Sequence, residues 1–302
     1  MTWTHTRCGP IRLGVCWAQG VGAPVHIRFL AHVIPSRSIG AHTTPPPQTF
    51  WNEYFSVHPP PSYGPLDFGK PGFQVATPLN KVWAPTLKAL WHKQDTPTAP
   101  ATLLAQLAFD DAAVSDYGAP AAAWVNVTVP GAADGGSDGD AVAFTVLVVN
   151  KTATRLPETM YVRFDAAVAP VSEADSTSGS VKGWAMDKLG EYVAPSDVQD
   201  GGAQHMHGVA SGGRYTYESA PGTPGAATPG GAVFIDTMDA PVVAWTNTSS
   251  GFPTPCNAPP TLAHGPSFCL YENEWGTNYV MWWPYVGGAQ SSIKYRFAVR
   301  VQ

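Results

Sequence analysis

Near the end of the chain, Ile293, Tyr295, Phe297, Val299 and Val301 alternate with Lys294, Arg296 and Arg300. A period of two sends one set into a core and the other into solvent, which predicts a half-buried strand. Met160, Val162 and Phe164 alternate in the same way with Tyr161, Arg163 and Asp165. The runs TLLAQLAF, AAWVNVTV, VAFTVLVVN, AVFID, PVVAW, FCLYENEW and YVMWWPY have strand length and are separated by turn clusters. GAADGGSDGD at 131–140 reads as an acidic hairpin loop, and PGTPGAATPGG at 221–231 as a second flexible loop. Leu87, Leu90 and Trp91 have helical spacing and predict one short helix after Pro85. The pattern predicts about a dozen strands, too many for one small sandwich. With no long helical stretches between them, a parallel βαβ sheet is excluded and an all-β, multi-stranded antiparallel β-sandwich is expected.

That pattern is not uniform along the chain. Residues 101–302 are consistently β and read as the sandwich domain. Residues 46–100 are rich in Pro and aromatics, and Pro at that density excludes regular helix and central strand. Their expected form is an extended arm laid over a surface that buries Trp51, Tyr54, Phe55 and Phe68. Residues 1–45 scatter Arg, His and Cys through an apolar background without a sustained period. They read as a truncated or mispredicted amino terminus or a poorly ordered arm, and Arg12, Arg28 and Arg37 interrupt any signal-peptide core.

Composition narrows the function. The formal net charge is -5 with 13% charged residues, which lacks the basic stripe of a nucleic-acid binder. No run of 18 apolar residues predicts a membrane span. Sequons stand at Asn126, Asn150 and Asn247, each near turn signals, and favour an extracellular or secretory location. Cys256 and Cys269, separated by 13 positions across a Pro/Gly-rich loop, read either as a disulfide or as two buried thiols.

Five stretches, in order, resemble an uncharacterised family with α-mannosidase-like architecture: FDDAAVSDYGAP, NKTATRLPETMYVRF, KLGEYVAPSDVQDGGAQHMHGV, DTMDAPVV and YENEWGTNYVMWWPY. That family is built like the family 38 glycoside hydrolases, and the resemblance spans roughly residues 46–302. Asn-Glu-Trp-Gly-Thr-Asn at 273–278 is similar to a signature near the end of their β-domains, with Glu274 where the signature has Asn. The resemblance implies a supersandwich-like C-terminal β-domain, with the zinc and the nucleophilic Asp in an amino-terminal catalytic domain. No His-x-Asp motif followed by an α/β pattern occurs here, so this chain is expected to hold no cofactor and to hydrolyse no glycoside alone. The expected partners are a carbohydrate and that absent catalytic domain. A free-standing carbohydrate- or protein-binding module is the alternative, and a small hydrolase with an unrecognised site is a third reading.

Candidate site residues follow from side-chain chemistry. His205 and His207 share a face if both lie on a strand, either as two ligands for a metal or as a hydrogen-bonded pair. Zinc needs three or four ligands and no further His or Cys lies at ligand spacing, so no metal is assigned. His205, His207 and Arg214 are the candidates for the rim of a substrate cleft. Trp275, Tyr279, Trp282, Trp283 and Tyr285 form either a sugar-stacking platform, with Trp275 and Asn278 as contacts, or inter-sheet packing. Asp110, Asp111, Asp236 and Asp239 invite a paired-carboxylate reading. Adjacent strand residues face opposite ways, however, so Asp110 and Asp111 cannot serve one site, and all four read equally as turn carboxylates.

Overall fold

The computed structural model describes residues 4–5, 13–15, 25–33, 81–131, 141–154, 158–166, 183–197, 199, 206–217, 231–245, 262, 265–273 and 289–301. The Pro-rich segment 46–80, the loop tips 132–140 and 221–230 and the aromatic stretch 274–288 lie outside them.

The strands form two antiparallel sheets. The ten-stranded sheet runs β1 (Thr4–His5), β5 (Thr86–Lys93), β6 (Ala101–Ala108), β7 (Ala122–Val129), β8 (Val142–Val149), β17 (Ile293–Val301), β14 (Gly231–Thr237), β13 (Gly212–Tyr217), β10 (Gly183–Lys188), β11 (Glu191–Val193). The second sheet has seven strands. Its main path is β12 (Met206–Gly208), β15 (Val242–Ala244), β16 (Ser267–Asn273), β9 (Glu158–Ala166), β3 (Val25–Val33), β2 (Leu13–Val15), and β4 (Lys81–Trp83) pairs with β3 off that path. The expected all-β sandwich is therefore the observed architecture.

The sheets meet through the residues that alternation pointed inward. Phe144 and Phe297 of the larger sheet contact Phe164 and Phe268 of the smaller one, with ring centroids 5.3–5.8 Å apart. Trp184 meets Trp245 at 5.8 Å farther along. Burying each such ring stabilises by about 1.5–3 kcal/mol. In β17, Tyr295, Phe297 and Val299 are buried, while Lys294 and Arg296 are exposed, as the alternation requires; Ile293, expected inside with them, starts the strand at 40% exposure. The Tyr295 hydroxyl donates to the Leu270 carbonyl of the opposite sheet, and burial pushes this phenol up to about 12.

Four local features differ from the sequence reading. The helix expected after Pro85 is strand β5, and a bulge at Lys88 explains the misleading spacing. Leu87 pairs with Leu107 and Leu90 with Ala105, so residues three apart share the inner face. Residues Asp111–Tyr117 form helix α1, not extended chain, with Asp110 at its N-cap and Asp111 in its first turn. β9 is not half-exposed: Thr159, Tyr161 and Arg163 are as buried as Met160, Val162 and Phe164, because β9 lies inside its sheet between β16 and β3. Finally, β1, β2 and β3 come from residues 1–45, where no period was legible, and β3 pairs with β9 from Val25↔Ala166 to Val33↔Glu158.

Candidate functional site

The outer face of the ten-stranded sheet carries an arginine–aromatic cluster. Ala185 pairs with Arg214, Arg214 with Phe234 and Phe234 with Arg300 across β10, β13, β14 and β17. Directly opposite residues share a face, so these side chains stand side by side. Tyr192 joins them from β11. The β10–β11 hairpin turns through Leu189 and Gly190, both left-handed at φ 60° and 99°, which suits the twist of a two-residue connection. Asp187 ties the turn by accepting the Gly190 N–H at 2.8 Å and the Ser211 hydroxyl. The Ser211 bond, then that of Gly190, holds its carboxyl below the usual range.

Tyr192 reaches over the cluster. The Arg214 guanidinium carbon lies 4.3 Å from the Tyr192 ring centroid, and the Tyr192 and Phe234 rings meet edge-on at 6.0 Å and 72°. Arg300 lies 5.4 Å from the Phe234 centroid. Burial, then the Asp187 and Asp236 carboxylates, raises the Tyr192 phenol, so it stays protonated at neutral pH and can donate.

The carboxylates nearby are engaged. Arg300 donates to Asp236 at 2.9 and 3.0 Å. Arg296 grips Asp239 with both arms of its fork, at 2.9 and 2.8 Å, and also donates its backbone N–H at 2.9 Å. The Arg296 bond holds the Asp239 carboxyl below its ordinary value. Asp236 and Asp239 are thus ion-pair partners of β17, not a carboxylate pair facing an open cleft. Arg214 differs from both other arginines: its Nε is buried and has no hydrogen-bond partner among the described residues. Nε itself is shut off from solvent, so an external acceptor meets this stacked guanidinium only through the part of the half-buried side chain that is exposed.

The remaining candidates do not gather around Arg214. His207 lies in β12, 8% exposed, opposite Val243, which in turn pairs with Phe268 of the core. It therefore faces the sandwich interior, whereas Arg214 stands on the outside of the other sheet. The two cannot touch one ligand. His205, Trp275, Asn278, Cys256 and Asn247 lie outside the described residues. The Cys269 thiol donates to the Tyr271 carbonyl at 3.4 Å, and its pairing with Cys256 remains an expectation. Asn126 is partly buried on β7 and Asn150 exposed just after β8. Among the described residues, no cluster of three His, Cys, Asp or Glu could hold a metal.

Sequence reasoning placed Arg300 on the outer face but did not single it out as a site residue, and it missed Tyr192 and Phe234, although the alternation of β14 could have placed Phe234 on the same face. It also missed a buried ion pair. Lys151 Nζ donates to Glu158 at 2.8 Å and to the Thr152 carbonyl at 2.8 Å, and lies 4.5 Å from the Tyr271 ring centroid. Thr154 donates to the same carboxylate at 2.8 Å. Burial outweighs the attraction between the partners, lowering the Lys151 ammonium and raising the Glu158 carboxyl.

Fold and side chains together define an antiparallel two-sheet β-sandwich with a polar–aromatic patch on one outer face. Comparison with protein-family models, curated proteins and solved structures found no match to this chain.

Proposed function

We propose that this chain is a non-catalytic, secreted-type β-domain of a carbohydrate-active protein with α-mannosidase-like architecture. In this reading it meets saccharide at the Tyr192–Arg214–Phe234 patch. The observation that carries the reading is Arg214, half-buried on the outer face and stacked on the Tyr192 ring, which meets Phe234 edge-on. A sugar offers what that geometry lacks: vicinal hydroxyls accept from a planar fork, and C–H faces pack against aromatic rings. A catalytic role is disfavoured by the acids themselves. Glycoside hydrolysis needs two carboxyl groups about 5–10 Å apart around the scissile bond, one of them protonated. Glu158 is the described carboxyl with a raised value, and it is buried against Lys151 and Thr154, away from any sugar.

The test is a pair of measurements on the full chain. Aryl α- and β-glycosides, α-mannosides included, with and without zinc, are expected to show no turnover above the uncatalysed rate. Titration against a mannose-rich glycan panel is expected to show binding that Arg214→Ala weakens about tenfold, worth about 1.4 kcal/mol. Arg214→Lys should not restore it, because an ammonium lacks the fork. Turnover abolished by Asp236→Asn would make the chain a hydrolase, and binding indifferent to Arg214 would remove the patch from the site. Binding at full strength by the chain alone would favour a free-standing module over a domain that completes a catalytic partner.

A further inference from the structure

Asn126 occupies the middle of β7 in the sequence Trp124-Val125-Asn126-Val127-Thr128. Val125 and Val127 are buried at 2% and 1%, so alternation sends Trp124, Asn126 and Thr128 together to the outer face. Across the ladder, Asn126 stands opposite Leu104 on β6 and Thr145 on β8, and Trp124 stands opposite Leu147. Trp124 stacks on Trp91 of β5, with ring centroids 5.7 Å apart and planes 20° from parallel. Leu147 beside it is 38% exposed. Trp91, Leu104, Trp124 and Leu147 thus form an apolar strip on this half of the outer face, bordered by Gln106, Thr128 and Thr145 and, on β17, by Lys294 and Arg296. At its centre is an asparagine whose carboxamide makes no hydrogen bond to a described residue.

We propose that Asn126 carries an N-linked glycan whose first sugar rests on Trp124 and covers this apolar strip. The side chain projects from the sheet while the backbone alone makes the ladder, so a glycan is accommodated without disturbing strand pairing. Residues two apart on one strand face are about 7 Å apart, within reach of an N-acetylglucosamine ring that lays its C–H face on the indole. In the transfer, the Asn126 carboxamide nitrogen displaces the diphosphate of a lipid-diphosphate-linked oligosaccharide at C1 of its first sugar. The N–C1 bond forms, the C1–O bond breaks, and the amide proton leaves to the transferase base. The inference rests on passage through a glycosylating secretory compartment, as the proposed function does, but not on the Arg214 patch.

The experiment expresses the full chain in a eukaryotic secretory host. Peptide mass spectrometry after enzymatic deglycosylation in heavy-oxygen water reads each sequon separately. Asn126 is expected to be converted to labelled Asp in the majority of molecules. Removing the glycan from the folded protein is expected to increase quenching of tryptophan fluorescence by acrylamide and to lower the thermal midpoint by about 2–4 °C. Trp124→Leu should keep the modification and lose that thermal increment, while Thr128→Ala should lose the modification with Asn126 in place. An unmodified Asn126, in secreted or retained protein, overturns the proposal. So does a modified Asn126 whose deglycosylation changes neither quenching nor midpoint. Loss of sugar binding in the Arg214→Ala variant would be independent of either result, so failure here and failure of the Arg214 site are distinguishable.

Discussion

Lys151 shows how one residue's role escapes a linear reading. In the sequence it is the middle of the Asn150-Lys151-Thr152 sequon, in a turn where lysine is ordinarily solvated. In the fold its ammonium is buried against Glu158, which heads β9. The backbone enters this turn through Asn150, at a left-handed φ of 53°, and is held by the Lys151 N–H donating to the Ser291 carbonyl at 2.8 Å. Removing one member leaves an uncompensated buried charge, whereas replacing both with apolar groups leaves none. Lys151→Met or Glu158→Leu alone is expected to cost about 3–5 kcal/mol, and the double variant clearly less than either. Urea denaturation of the three variants measures this, and additive losses would show that the pair is not coupled. Arg214 was legible as a chemically capable side chain. Its setting was not, because Tyr192 reaches it from two strands away and no spacing rule records that.

At the level of elements, periodicity succeeded where the ladder is regular and failed where it is interrupted. β8 and β17 alternate without a break, and their buried and exposed residues fall as expected except at Ile293, the first residue of β17, which was expected inside and is 40% exposed. β5 contains a bulge, and one extra residue converts a period of two into a spacing of three that imitates a helix. Helix α1 was missed because seven residues are too few for a periodic signal, yet its stop was written in the chain. Gly118 takes the left-handed position after the last turn at φ 65°, with its N–H donating to the Ala113 carbonyl. A Cβ there would meet the Thr154 methyl and the Thr152 carbonyl, beside the Lys151–Glu158 pair. Gly118→Ala therefore combines left-handed strain with a clash and is expected to destabilise by about 2–3 kcal/mol. Chemical denaturation reads this directly, and a loss under about 0.5 kcal/mol would mean that the turn relaxes freely.

For the whole molecule, composition and alternation sufficed for an all-β sandwich, since many short aromatic and β-branched runs have few other ways to bury one face. Strand order was not legible, because pairing between distant segments leaves no local trace. The nine residues of β3 are the clearest case: they lie in a part of the chain without a readable period and supply a full-length neighbour to β9. On a ribosome β3 is made early, and five strands, β4 to β8, follow before β9 emerges to pair with it. Until then the edge of β3 that faces β9 has no native partner, although β2 and β4 pair along the other edge, and closing so distant a contact is slow. Conversely, a chain begun at residue 46 leaves β9 with one nine-residue edge open, a template for wrong partners. Such a chain is expected to accumulate as aggregate, and a synthetic peptide of residues 22–36 supplied during refolding should return it to solution by strand addition. A soluble truncated chain with an unchanged thermal midpoint would show that β9 does without it. The time between the synthesis of these two strands thus sets a window in which the nascent protein carries a long unpaired strand edge open to wrong partners.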